Sequence, residues 1–272
     1  MKKCLTVLLF VAGLMLNAQQ ATGVIKDAET NETIPFVNIG VVGKGVGTVC
    51  GEDGAFSIKL PAGMDNDTLR ISSIGYAAKN FLVKDFFKAL ESNKTILLST
   101  EAIKLDEVVI SNKKPKEKTL GSTTTSKSMI LGFTTDQLGN ELGVLMRIKG
   151  SQAKLLKFTA QVASNDNPPV TLRLNFYTVK NGLPDKPIAT ENIFVTLPKE
   201  AGPLVVDLTK YNIMVEDDFV VALEWLEDNP AKIRFSAALL GPYVVVRNTS
   251  QGEWAKEGAV TVGFTVDTLY WK

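Results

Sequence analysis

The spacing of turn residues between positions 23 and 76 restricts this chain to a small set of folds. Gly23-Val24-Ile25-Lys26-Asp27 leads into Ile34-Pro35-Phe36-Val37-Asn38-Ile39. Gly47-Thr48-Val49, Glu52-Asp53-Gly54-Ala55-Phe56 and Ile71-Ser72-Ser73-Ile74-Gly75-Tyr76 follow in order. Each apolar stretch is short and is cut by Gly, Pro, Asn or Asp, the residues whose backbone preferences make turns. Val37, Ile39 and Val41 alternate with Asn38, Gly40 and Val42, and Phe56 and Ile58 alternate with Ser57 and Lys59. That period of two is the pattern of a half-buried strand. Leu69, Ile71 and Ser73 face opposite to Arg70, Ser72 and Ile74, and Phe81-Leu82-Val83 and Thr95-Ile96-Leu97-Leu98 read as two more strands. Asp85 to Glu91 alone reads as briefly helical. The segment specifies a small all-β sandwich and offers no reactive group.

The same texture returns between residues 130 and 272. Leu155 to Val162, Val170 to Val179, Ile193 to Leu197, Leu204 to Leu208, Phe219 to Leu226, Ile233 to Leu239, Val244 to Arg247 and Val260 to Leu269 read as strands. Pro168-Pro169, Asn181-Gly182-Leu183-Pro184-Asp185, Gly202-Pro203, Gly241-Pro242 and Gln251-Gly252 punctuate them. This spacing predicts a second two-sheet sandwich of jelly-roll type, with no helix longer than two turns. Between the two units, Lys113-Lys114-Pro115-Lys116-Glu117-Lys118 and Gly121-Ser122-Thr123-Thr124-Thr125-Ser126 have the composition of a solvated tether. The expected organisation is therefore a signal peptide over 1–18, a sandwich over 21–112, a linker over 113–129 and a second sandwich over 130–272.

The signal peptide follows from Lys2-Lys3, the apolar run Leu5 to Leu16 and the small residue Ala18. The run is short for a membrane span. Cys4 precedes the apolar run, so it is not the cysteine of a lipoprotein, and the mature chain is expected to begin near Gln19. Export then leaves Cys50 as the one cysteine, which forbids an intramolecular disulfide. It also removes two lysines, taking the formal charge from +1 to about −1. Near-neutrality gives no electrostatic reason to expect nucleic acid as a partner. No second hydrophobic stretch reaches membrane-spanning length, so no transmembrane segment is expected in the mature chain.

The chain contains no histidine. That excludes Ser-His and Cys-His nucleophile activation, histidine general bases and histidine metal ligands. Glu216-Asp217-Asp218 is the candidate calcium cluster, though no second oxygen-rich loop accompanies it, and no cofactor is expected. Glu224 paired with Asp185 or Glu253 is the formal glycosidase dyad; a solvated strand residue is the simpler expectation for Glu224. Phe219, Val221, Leu223 and Trp225 share one strand face and are expected in the core. Tyr243, after Gly241-Pro242, and Trp254, after the hairpin tip Asn248 to Glu253, are candidate sugar-stacking residues at a sandwich rim. Their alternative role is to plug the sandwich edge. Asp67-Thr68-Leu69 and Asp267-Thr268-Leu269 resemble short O-glycosylation acceptors, and Tyr270 and Trp271 read as closing strand residues.

The ordered motifs of residues 21 to about 112, from Gly23-Val24-Ile25-Lys26-Asp27 through Ile34-Pro35-Phe36-Val37-Asn38-Ile39 to Ile71-Ser72-Ser73-Ile74-Gly75-Tyr76, resemble the carboxypeptidase-regulatory-like domain. Leu105-Asp106-Glu107-Val108-Val109-Ile110 is similar to the segment that closes this module. Cys50-Gly51 departs from the family pattern, which usually has a polar residue followed by Asp or Asn at this turn. The resemblance implies a transthyretin-like sandwich without peptidase chemistry, on an exported envelope protein of a Gram-negative cell, in the periplasm or at the outer membrane or cell surface. The expected function is that of a non-catalytic interaction or structural module with an envelope protein or outer-membrane receptor as partner. The alternative is carbohydrate binding, with a glycan site on the second domain.

Overall fold

The computed structural model describes residues 18–101, 114–133, 137–149, 152–165, 169–197, 199–228 and 232–271. The signal peptide expected over 1–18 lies outside the described residues except for Ala18, and so does the 105–110 segment.

The first unit is a sandwich of two small sheets. Strand β1 (Gln19–Asp27) pairs antiparallel with β4 (Ala55–Leu60) and parallel with β7 (Thr95–Leu98). Facing it, β2 (Asn38–Val41), β3 (Gly47–Val49), β5 (Thr68–Ser72) and β6 (Lys79–Leu82) form a sheet of order β3-β2-β5-β6. The alternation read from the sequence is the alternation observed: Phe56, Ile58 and Leu60 are buried while Ala55, Ser57 and Lys59 are exposed. Helix α1 (Val83–Ser92) runs longer than Asp85 to Glu91, spanning 10 residues and so exceeding two turns. Val83, Phe86 and Leu90 give it one apolar stripe, and Phe86 packs among Phe56, Phe81 and Phe87. The chain leaves an extended strand for helix at Val83 because this stripe closes the sandwich edge.

Cys50 stands where the resemblance left the turn in question, and the turn forms. Gly51 N–H donates to the Ala55 carbonyl at 2.8 Å, and Gly54 takes φ +75°, a region that suits glycine. The thiol is fully buried, accepts from Val37 N–H at 3.0 Å and faces the Ile34 carbonyl at 3.4 Å. Burial pushes its pKa up to about 11, so Cys50 is a small core residue rather than a nucleophile.

Asp27 closes the turn after β1. Its Oδ1 accepts from the amides of Thr30 at 2.9 Å and Glu29 at 2.7 Å, and its Oδ2 accepts from the Tyr76 hydroxyl at 3.1 Å. The Thr30 and Glu29 amides together hold the carboxyl below its ordinary value of 3.8. A lowered folded-state pKa stabilises the protein above the unfolded value and loses that contribution as pH falls through the folded one. Asp27→Asn should therefore flatten the acid limb below about pH 4, a difference read by thermal melts between pH 2 and 5. Parallel acid limbs in the two proteins would contradict this.

The second unit is a larger two-sheet sandwich. Its strands are β8 (Lys116–Gly121), β9 (Ile130–Gly132), β10 (Glu141–Met146), β11 (Gln152–Asn165) and β12 (Val170–Lys180). They continue with β13 (Leu183–Pro187), β14 (Phe194–Leu197), β15 (Gly202–Asp207), β16 (Met214–Val215) and β17 (Phe219–Trp225). The last are β18 (Ile233–Leu239), β19 (Val244–Arg247), β20 (Ala255–Glu257), β21 (Val260–Val262) and β22 (Phe264–Trp271). One sheet runs β13-β12-β17-β10-β19-β20 with β14 beside β12. The other runs β21-β18-β11-β22-β8, with β9 against β18 and β15 and β16 along β11. Phe219, Val221, Leu223 and Trp225 lie fully in the core between them, as expected.

One expectation changes, and one central strand had gone unread. The tether read from the Lys113–Lys118 composition is in part strand: β8 pairs with β22 from Gly121↔Thr265 to Lys116↔Tyr270. An edge strand needs only backbone partners on one side, so Lys116, Glu117 and Lys118 keep their charges in water. Strand β10 carries no alternation because both of its faces are buried, and it sits at the centre of its sheet. Tyr270 and Trp271 close β22 as expected, and Thr268, fully buried, donates its hydroxyl to the Lys118 carbonyl. Of the two O-glycosylation-like motifs, only Thr68 is exposed.

Candidate functional site

The outward face of the β13-to-β20 sheet carries a row of charges where the sequence pattern leads one to expect solvent. Antiparallel register sets Arg173 opposite Glu224, Glu224 opposite Glu141, and Glu141 opposite Arg247. Cross-strand neighbours share a face, so the four side chains form one rung with two adjacent carboxylates between two arginines. Arg173 grips Glu224 through Nε at 2.8 Å and Nη2 at 2.9 Å, a forked contact that a lysine could not reproduce. Arg247 pairs with Glu141. Asn175, one step along β12, donates to Glu224 at 2.7 Å and Glu141 at 3.2 Å, and Tyr177 donates its hydroxyl to Glu141 at 2.9 Å.

Glu224 is thus not a solvated strand residue: it is 0% exposed, as is Glu141, and Arg173 is 1% exposed. Burial raises Glu141, and the neighbouring Glu224 adds to that rise against the pull of Arg247. Burial would raise Glu224 as well, but the Arg173 guanidinium holds it below the usual glutamate value. Two carboxylates pushed apart in this way are suited to acid–base work when a substrate can reach them. Here both are sealed and engaged by arginine, and Asp185 and Glu253 stand exposed elsewhere. The glycosidase pairing is not assembled.

Tyr243 and Trp254 lie on this same outer face, in a small cluster with Leu145, Val220, Ala222 and Val245. Trp254 covers the rung: the Arg247 guanidinium lies 4.8 Å from its ring centre, and Tyr177 meets it edge-on at 5.7 Å. Tyr243 donates to the Gly182 carbonyl at 2.7 Å, with Lys256 at 5.0 Å over its ring. Both rings are half-buried. The acidic run before β17 does not converge: Asp218 accepts from the amides of Ile148 and Lys149, Asp217 from the Asp218 amide, and Glu216 from the Gln152 side chain. Among the described residues no group of three Cys, Asp or Glu side chains is placed to hold a metal ion.

The rung ends at the other sandwich. Arg173 Nη1 donates to the Phe36 carbonyl at 2.9 Å and to Asn192 at 3.1 Å. The connection between β19 and β20 enters the first unit instead of ending in solvent: Thr249 and Ser250 are buried. Ser250 donates to Asn38 at 2.6 Å, Gln251 donates to Ser72 at 2.9 Å, and Gly43 N–H donates to the Gln251 carbonyl at 2.9 Å. Gly40 and Gly47, paired across β2 and β3, both turn towards the Ser250 carbonyl, and a Cβ on either would collide with it. Beside this joint lies a cleft of about 610 Å³, bounded by Phe36, Phe56 and Glu52 of the first sandwich and Phe194, Leu226 and Asp228 of the second.

Sequence reasoning missed Glu141, Arg173, Asn175 and Arg247. The available signal was complementarity: single charges of opposite sign sit between apolar neighbours in different strands, as in Leu172-Arg173-Leu174 and Leu223-Glu224-Trp225.

Residues 21–110 match the CarboxypepD_reg-like domain family, as their motifs implied. The chain is also 24% identical over 198 residues to TonB-dependent receptor P3 of Formosa agariphila, covering 70% of this chain and 18% of the receptor. That alignment is longer than the first domain, and the chain spans less than a fifth of the receptor's length. Among solved structures, the cysteine protease and lectin-like domains of Cwp84, a surface layer associated protein of Clostridium difficile, align at 10% identity and a TM-score of 0.37. The alignment covers 93% of this chain and 63% of that one, at a likeness too low to carry an argument. No helix among the described residues is long and apolar enough to cross a membrane.

Proposed function

We propose that this chain is an exported, non-catalytic docking module of a Gram-negative envelope, which binds an outer-membrane receptor or another envelope protein. The first domain belongs to a family without peptidase chemistry, and the likeness to a TonB-dependent receptor supports an envelope setting. One observation carries the reading. The acids best placed for chemistry, Glu141 and Glu224, are buried and tied to arginine, and Arg173 carries the rung across to the Phe36 carbonyl of the first sandwich. Chemical work is thereby exchanged for a fixed two-domain surface.

The test is recovery of partners from crosslinked envelopes with the full chain and with a chain lacking 21–112. A docking module should recover an outer-membrane protein that the shortened chain loses. Identical protein sets from both would defeat the reading. Glycan recognition is the second reading, favoured by the placing of Tyr243 and Trp254 half-open on one sheet face. It calls for a dose-dependent rise in melting temperature with a soluble glycan, abolished in Tyr243→Ala.

A further inference from the structure

The open edge of β4 runs into the cleft between the sandwiches, and the two together have the make-up of a peptide groove. Strand β4 pairs with β1 on one side, and no strand among the described residues pairs with its other side. Val24 N–H donates to Lys94 beside β7, whereas Ile25 N–H donates to Gly54 at the start of β4. With Gly23 opposite Phe56, this alternation turns the backbone of Phe56 and Ile58 towards β1. The N–H and C=O groups of Ser57 and Lys59 therefore point off the open edge.

Ser57 also lines the cleft, whose wall is aromatic and acidic. Phe194 is an exposed aromatic, its ring 5.1 Å from that of Phe36. Glu52, Glu227 and Asp228 face the same space, and among the described residues no lysine or arginine lines it. Glu227 is engaged by the Thr171 amide at 2.8 Å. Glu52 and Asp228 are exposed and make no hydrogen bond or ion pair among the described residues. A site of this kind disfavours anions and offers a cation both carboxylate and aromatic contacts.

We propose that this groove docks an extended segment of the partner protein that carries a lysine or arginine among apolar residues. Its backbone adds to β4 at Ser57 and Lys59, and its cation lies between Glu52, Asp228 and the Phe36–Phe194 pair. Lys59, exposed beyond the cleft, disfavours a cation at its own position and so leaves the segment's cation to the Glu52 and Asp228 end. The inference rests on the docking reading and specifies the chemistry of its partner.

The test uses two probes, acetyl-Val-Lys-Val-Thr-Val-amide and its counterpart with Glu in place of Lys, titrated into the full chain and followed by NMR. The lysine peptide should bind at least tenfold more tightly and slow hydrogen exchange of the Ser57 and Lys59 amides at least tenfold. The double variant Glu52→Gln with Asp228→Asn, two surface changes that leave the fold intact, should erase the preference between the peptides. Absence of lysine-peptide binding, equal binding of both peptides, or unchanged exchange at Ser57 and Lys59 would overturn the groove. So would displacement of the peptide by maltohexaose with exchange at those amides restored to its free rate. An envelope partner that still crosslinks after such a failure would leave the docking reading standing without this groove.

Discussion

Glu224→Ala is expected to cost about 3–5 kcal/mol of stability, because it leaves the Arg173 guanidinium buried and without its forked partner. At about 2–4 °C per kcal/mol, the melting temperature should fall on the order of 10 °C. The remaining Arg173 bonds, to the Phe36 carbonyl and Asn192, satisfy hydrogens but not charge. Replacing both members with apolar residues of similar size, Arg173→Met with Glu224→Leu, should recover more than half of the loss. A buried pair is costly to break and much less costly to exchange for packing. Glu141 would survive the exchange, since Arg247, Tyr177 and Asn175 continue to hold it. Thermal melts of the parent, of Arg173→Met, of Glu224→Leu and of the double variant give the coupling directly. Equal losses in the Glu224→Ala and double variants would show that the rung is not what makes Glu224 important.

Gly47→Val should act on the joint rather than on either core. The added side chain meets the Ser250 carbonyl, a backbone atom that cannot swing aside, and the facing Gly40 leaves no room on its own strand. Overpacking of this sort costs about 1–3 kcal/mol. It should also release the Ser250–Asn38 and Gln251–Ser72 bonds that fasten the β19–β20 connection into the first sandwich. Each sandwich has its own apolar cluster, so the expected outcome is parting of the domains and not global unfolding. Calorimetry should resolve two transitions where the parent chain gives one, and small-angle scattering should show a larger radius of gyration. A single transition at the parent temperature would mean that the joint tolerates the side chain.

These two sites mark where the sequence stopped being readable. Alternation with a period of two located strands such as β4, because Phe56, Ile58 and Leu60 carry their environment in their own pattern, whereas β17, buried at every position, was legible as a continuous apolar run. It could not place Glu141 or Glu224, whose burial depends on partners from strands distant in the chain. Strand β10 lacks alternation for the same reason: both of its faces are covered, so no polar position reports a solvent side. β8 was hidden by its charges, which an edge strand can keep. Tyr243 and Trp254 were legible as an aromatic pair near turns. Their environment was not, since Trp254 faces Arg247 and Tyr177 only after the sheet has formed.

The most direct measurement is photo-crosslinking in living cells from a probe at Phe194, beside the cleft, with a control probe at Lys116 on the far edge strand. A docking module should give a defined adduct with an outer-membrane protein from Phe194, absent from Lys116 and lost when Gly47→Val parts the domains. Adducts that are the same from both positions, or that persist unchanged in the Gly47→Val chain, would contradict a function built on the fixed two-domain surface.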